Sequence, residues 1–298
     1  MQFSVMVTRV AEETGLSATG DATKIKSWLN EAYRFLAGLR EWPWMMGSGI
    51  VQTTVDNTSL TASVTAAGTT VTLSATIAAS MATDYWIQFA TTDDWYPITA
   101  HTAGTDTLTI SPGYTGASNL VAGTCTIRRI YYSLASDADR IIDMYEAIQD
   151  TQLIYADPRD LDRHLPDPSS TGTPNVYTLL GTDTNGYWRA NFYPIPDTKI
   201  NINYRYYKRV TDLAADTDVP ILPSKWHMGI VFTALAMFGH PYIDDSRMAS
   251  AESRARQVVG EMLKQVSPLP DKHTVIQRWD QRGGKRNFGP LFPPEFGA

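Results

Sequence analysis

Between residues 50 and 133 the chain carries twenty threonines, no lysine and only two arginines, and the flanking segments place apolar residues with a helical period. Threonine is β-branched and packs well on a pleated surface, so a Thr-rich run of short alternating segments predicts a β-domain. Val64, Val71–Leu73, Trp86–Phe89, Leu108–Ile110 and Cys125–Ile127 are separated by Gly, Asn, Asp and Pro. Strands recurring at intervals of roughly ten residues suggest a small antiparallel sandwich or barrel. The expected fold class is therefore α+β, a helical-bundle body with this antiparallel β-domain inserted at residues 50–133.

Residues 1–49 and 134–267 are expected to form the body. Residues 4–14 predict a short helix closed by Gly15, the residue that most readily takes a left-handed conformation. Asp21 is placed to cap a second helix, whose apolar stripe runs through Ile25, Trp28, Leu29, Ala32, Leu36 and Leu39 until Pro43 stops it. Helical spacing returns after Asp137, with Ile141, Ile142, Tyr145 and Ile148 on one side. The alternating segments Tyr187–Tyr193 and Ile200–Val210 predict an additional β-hairpin around the proline-containing turn at 192–197. Pro223 or Ser224 opens the most apolar helix, through Trp226, Ile230, Val231, Ala234, Leu235 and Phe238. Asp245–Val266 predicts a last amphipathic helix whose polar face carries Arg247, Glu252, Arg254, Arg256, Glu261 and Lys264.

Chemistry-bearing patterns are sparse. A single cysteine, Cys125, excludes an intrachain disulfide and sits in an alternating segment, where a packed strand residue is expected. The first residues lack a cationic leader, and no segment approaches the roughly 18 apolar residues of a membrane span, so a cytoplasmic or particle-borne protein without membrane contact is expected. No phosphate-cradling loop, nucleophile elbow or His-Glu-x-x-His occurs, and neither a metal, a cofactor nor an enzymatic activity is expected. Asp93–Asp94 and Asp244–Asp245 are read as solvated turns, because neighbours on a strand point to opposite faces. His227 and His240 lack further ligands at metal spacing and read as structural. Trp42 and Trp44 are expected to pack the end of the second helix.

Residues 268–298 read as an extended C-terminal arm, since Pro268, Pro270, Gly283, Gly284, Gly289, Pro290, Pro293, Pro294 and Gly297 interrupt any regular element. The arm nevertheless carries Trp279, Phe288, Phe292 and Phe296 among Arg278, Arg282, Lys285 and Arg286. Aromatic and arginine anchors suit a segment that docks on a partner.

The order of several motifs resembles a known family. Trp42-Pro43-Trp44 is followed by Gly172-Thr173-Pro174 and Tyr177, by Phe192-Tyr193-Pro194-Ile195-Pro196-Asp197, by a Tyr-rich strand ending near Tyr207, and by Leu222-Pro223-Ser224-Lys225-Trp226-His227. This series resembles the head-to-tail adaptor proteins of tailed bacteriophages. The resemblance implies a non-catalytic virion protein of the neck, assembled in the host cytoplasm as a ring of twelve copies. It further implies that the ring binds the portal protein, meets a tail or nozzle protein, and extends the channel through which genomic DNA passes without specific binding. The family's use of a carboxy-terminal arm to hold the portal marks Arg278, Trp279, Arg282, Lys285, Arg286, Phe288, Phe292 and Phe296 as portal-binding residues. A net charge of −6 agrees with a channel that DNA slides past, since it argues against tight phosphate binding. The alternative reading is a phage tail or surface module that recognises carbohydrate or a receptor through Trp86, Trp95 and Tyr96.

Overall fold

The computed structural model describes residues 1–147, 151–164 and 169–266. Along the chain run α1 (Phe3–Thr14), α2 (Ala22–Gly38), β1 (Met46–Gln52), β2 (Thr61–Val64), β3 (Thr70–Ile77), β4 (Tyr85–Phe89), β5 (Trp95–His101), β6 (Thr105–Ile110) and β7 (Leu120–Arg129). There follow β8 (Tyr131–Ser133), β9 (Ala138–Glu146), β10 (Thr151–Gln152), β11 (Ile154–Tyr155), α3 (Pro158–His164), β12 (Val176–Thr182), β13 (Trp188–Tyr193), β14 (Asn201–Lys208), α4 (His227–Phe238) and α5 (Asp245–Val266). Two compact units result, one of Met1–Trp42 with the described residues from Leu213 onward, the other of Pro43–Asp212.

The first unit is helical. α1 buries Phe3, Met6, Val7 and Val10, and Gly15 ends it with φ 70°, as its sequence predicts. α2 buries Ile25, Leu29, Ala32 and Leu36, and the Trp42 indole Nε1 donates to the Leu36 carbonyl at 3.0 Å, satisfying an end of the helix. Two details differ from expectation. Asp21 precedes α2 without capping it, because its carboxylate accepts instead from the Ser17 amide at 3.0 Å. Leu39 lies just past the helix and is exposed rather than on the buried stripe. The returning chain is fastened to α2 by a buried amide: Asn30 Nδ2 donates to the Leu213 carbonyl at 3.0 Å, and Asn30 Oδ1 accepts from the Leu213 amide at 2.9 Å. α4 then packs on α5 so closely that a Cβ at Gly229 would stand 2.6 Å from Val258 Cγ1.

The second unit is built of strands. β2-β3-β6-β5-β4-β7 close a six-stranded barrel, the barrel alternative of the sequence reading. Its inward residues, among them Val71, Ile87, Phe89, Tyr96, Ile98 and Leu108, form a continuous apolar core. The rest of the unit comprises two four-stranded sheets, β1-β14-β9-β10 and β11-β12-β13-β8. Val51, Tyr132, Met144, Phe192, Ile202, Tyr204 and Tyr206 from the two sheets share one core. Three ion pairs stand at the barrel's junctions with neighbouring segments. Arg128 of β7 grips Asp56 with Nε and Nη2 at 3.0 and 2.6 Å, which fixes the segment leading from β1, and its guanidinium lies 4.6 Å from the Trp95 ring centroid. Asp84 lies between Arg129 at 3.8 Å and Arg189 of β13 at 3.6 Å.

These observations correct the expected fold class. Strands outnumber α-helices fourteen to five among the described residues, so the protein is mainly β and has no helical-bundle body carrying an inserted domain. The helix expected after Asp137 is strand β9 for Ala138–Glu146; Ile148 lies outside the described residues. Its misleading period has a physical origin. β9 holds two extra residues against β14, one between the pairs Arg205↔Asp143 and Tyr206↔Ile141 and one between Tyr207↔Arg140 and Lys208↔Ala138. Each bulge slips the alternation by one, so Ala138, Ile141 and Met144 all turn toward the core at a spacing of three. The expected hairpin at 187–210 is also absent: β13 and β14 exist but belong to different sheets. Alternation reveals a strand's buried face and not its partner; β13 instead pairs with β12, and the intervening Ile195 is buried as the chain crosses over.

Replacing Asn30 by alanine strands both polar groups of Leu213 in the interior. Urea unfolding of the full chain is expected to show a loss of about 2–4 kcal/mol from the first unit, and a loss below about 0.5 kcal/mol would show that water replaces the amide.

Candidate interaction surfaces

The eight arm residues singled out from sequence, Arg278, Trp279, Arg282, Lys285, Arg286, Phe288, Phe292 and Phe296, lie outside the described residues. The carbohydrate platform is not assembled, because Tyr96 points into the barrel and packs on Phe89 and Tyr114 at centroid distances of 5.4 and 6.2 Å. Trp86 and Trp95 lie on the paired strands β4 and β5, with Arg128 drawn across Trp95. The adjacent acids form no dyad. Asp94 accepts from Thr115 Oγ1 at 2.8 Å. Asp244 caps α5 by accepting from the Arg247 amide at 2.9 Å and from Ser246 Oγ at 2.8 Å, bonds that lower its carboxyl pKa.

His227 is buried at the start of α4, and its Nε2–H donates to the Leu222 carbonyl at 2.8 Å. Desolvation lowers its pKa, so the ring is neutral near pH 7. Cys125 is buried on β7, and desolvation pushes its thiol up to about 11, which leaves it unreactive as a nucleophile. Among the described residues no group of three or more His, Cys, Asp or Glu is placed to hold a metal ion. No described helix is long and apolar enough to cross a membrane.

Two surfaces of the described residues expose apolar side chains. The first is an apolar groove of about 530 Å3 in the helical unit, walled by α2, α4 and α5. Phe35, Leu39, Met237 and Leu263 line it and remain exposed, with Thr233, Ala236, Val259 and Gly260 on its walls. The sequence reading missed it, although α4 carries the signal: an all-round apolar helix must bury a second face somewhere. The second surface is the edge of β1. Met46, Ser48, Ile50 and Gln52 form its exposed face, with Ile50 67% exposed. The strand Met46–Gln52 carries no charge, whereas solitary sheet edges are ordinarily blunted by lysine or proline.

A family model described as SU10 adaptor protein matches residues 83–278, from within the barrel through α5, well over half of the chain. The chain belongs to the SU10 adaptor protein family. It is thus an adaptor-type phage protein, a structural component of the virion that contacts other virion components. No curated protein matches the chain. In this SU10 adaptor the groove gathers several exposed apolar side chains, the kind of surface that protein partners cover, and the β1 edge adds Met46 and Ile50.

The buried His227 gives the helical unit a defined pH response. Because its folded pKa is depressed, its contribution is complete above the unfolded value near 6.5 and is lost as pH falls through the folded value. Urea unfolding between pH 7 and 5 is expected to show stability declining by at most about 1.4 kcal/mol per pH unit from this group, with a shallower decline in His227→Gln. Identical pH slopes for the two proteins would show that the ring protonates freely in the fold.

Proposed function

We propose that this SU10 adaptor is a non-catalytic head-to-tail adaptor, which assembles as a ring under the portal, extends the DNA channel and carries the tail. Family membership is the observation that carries the reading, and the ordered motifs from Trp42 to His227 support it. A ring of identical copies needs two different complementary surfaces on each copy. The groove and the uncharged β1 edge are separate patches that suit such head-to-tail contacts. Twelve copies match the resemblance. Partners in this reading are the portal protein above, a tail or nozzle protein below, and genomic DNA in transit.

The arm is the portal anchor in this reading. Trp279, Phe288, Phe292 and Phe296 fill apolar pockets, and Arg278, Arg282, Lys285 and Arg286 supply the polar rim.

Electron microscopy of the protein mixed with its portal is expected to show a closed ring whose rotational symmetry matches the portal; a single bound copy overturns the reading. Replacing the four arm aromatics by alanine in the full chain is expected to weaken portal binding at least about 100-fold, equivalent to the loss of one or two strong anchors. The urea midpoint of the body should be unchanged. Undiminished binding by that variant would move the anchor from the arm to the helical surfaces.

A further inference from the structure

We infer that Asp84 is a proton-set latch on the joint between the barrel and the sheet β11-β12-β13-β8: protonated, it lets the joint close fully, and ionised, it leaves the joint primed to open. The barrel is tied to the rest of its unit at two connections, and they are built to opposite standards. At the entry, Asn57 and Ile127 exchange both backbone hydrogen bonds at 2.9 Å, and Arg128 grips Asp56 in the two-pronged contact described above. That connection is a pivot. At the exit, β7 ends at Arg129, Ile130 follows, and β8 begins at Tyr131 and pairs with β13. Here an ion pair links the barrel to β13, Arg189 to Asp84 at 3.6 Å, too long for a hydrogen bond.

Three features of the exit joint are held at a cost. Thr83 has φ 67°, a left-handed conformation that is an outlier for a β-branched residue, and its amide is fixed there by donating to the Ile98 carbonyl at 2.8 Å. Asp84 Oδ1 and Arg189 Nε are both buried without a hydrogen bond. Carboxylate and guanidinium are thus desolvated together without being placed to satisfy one another. Strain and unmet hydrogen bonds gathered in one joint mark an element poised between two arrangements.

The charged groups facing Asp84 are Arg129 on β7 at 3.8 Å, Arg189 on β13, and Asp183 in the turn after β12. Tyr131 and Tyr132 of β8 lie against the Arg189 and Arg129 guanidiniums respectively, each ring centroid at 4.6 Å. Desolvation, opposed by the two arginines, leaves the Asp84 carboxyl above its ordinary value. In the opened joint the carboxylate meets water and returns to that value. The closed joint therefore holds the proton more tightly, so closure is complete below the ordinary carboxylate value and weakens as pH rises through the raised one. With Asp84 protonated, Asp183 remains to balance Arg189. Its own carboxyl is lowered, against desolvation, by bonds from the Tyr187 amide, Ser133 Oγ and the Asn185 amide. The device lies within the strand unit and does not depend on the adaptor reading.

The test uses the full chain. Site-resolved hydrogen exchange reads the joint through the Ile130 and Tyr131 amides, which donate to the Asp84 carbonyl at 2.9 and 3.2 Å, while the Ile127 amide reports the pivot. At pH 7, Asp84→Asn is expected to raise the protection factors of Ile130 and Tyr131 several-fold and to leave that of Ile127 unchanged. The two proteins should converge as pH is lowered into the ordinary carboxylate range. Equal protection at pH 7, an equal rise at Ile127, or a difference that does not change with pH overturns the proposal. A second measurement needs no substitution. The carbon-13 shift of the Asp84 carboxyl is expected to titrate with a midpoint above the ordinary aspartate value of about 3.9, and the Ile130 protection factor should fall around that same midpoint as pH rises. A midpoint at or below the ordinary value, or exchange that ignores the titration, would equally overturn it.

Discussion

The strand unit depends on how two tyrosines of β14 meet two glycines of β1. Tyr204 and Tyr206 project into the core shared by the two sheets, and their rings lie against Gly49 and Gly47 on the neighbouring strand. A Cβ at Gly49 would collide with the Tyr204 ring, so the ring can lie where it does only because that position is bare. The ring hydroxyls then reach the link between β8 and β9: Tyr204 Oη accepts from the Ala135 amide at 2.8 Å, and Tyr206 donates to Asp137 at 2.8 Å. Burial, reinforced by Asp137, pushes the Tyr206 hydroxyl up to about 12, which keeps it a donor throughout the physiological range. One strand thus fixes β1 on one side, β9 on the other, and the connection that takes the chain from the sheet of β8 into that of β9.

Charge at the barrel junction works by a different balance. Arg128 and Asp56 are largely withdrawn from water, where a lone charge would be costly, and the two-pronged contact compensates because both carboxylate oxygens are engaged. Asp84 is less completely compensated: desolvation raises its pKa more than Arg129 and Arg189 lower it. The geometry agrees, since both cations stay beyond 3.5 Å and Asp84 Oδ1 makes no hydrogen bond. Asp56 therefore acts as a clamp with good geometry, whereas Asp84 serves as a shared counter-charge between two strands. Which connection a mutation would loosen follows from that difference.

Local signals in the sequence were reliable where one element determined its own period. Gly15 ended α1, the α2 stripe packed, α5 ran over the expected residues, and short Thr-rich segments became barrel strands. They failed where the period depended on a partner. The bulges of β9 exist only relative to β14, and their effect on the sequence is an i, i+3 spacing indistinguishable from a helix turn. Likewise Trp188–Tyr193 and Asn201–Lys208 each read as strands, while nothing in either says that a crossover at Ile195 separates their sheets. The candidate surfaces show the same division. The aromatic residues expected to form an arm lie outside the described residues, while the groove requires knowing that Phe35 of α2 lines the same depression as Met237 of α4 and Leu263 of α5, which follow it in the chain by about 200 positions or more.

On the proposed ring, repetition changes how small energies count. A single cation facing the channel would add little attraction for phosphate in one subunit, but a ring presents it once per copy, and each neutralised phosphate strengthens binding further at low salt. A subunit with net charge −6 therefore starts from the side that lets DNA pass. The same multiplication favours weak contacts between subunits. A groove or edge strand that binds modestly in one pair closes firmly in a ring, where each copy is held from both sides and loses its freedom only once. Exposed apolar side chains such as Ile50 and Phe35 are then tolerable in the unassembled chain because they are few, while remaining sufficient when all copies engage together.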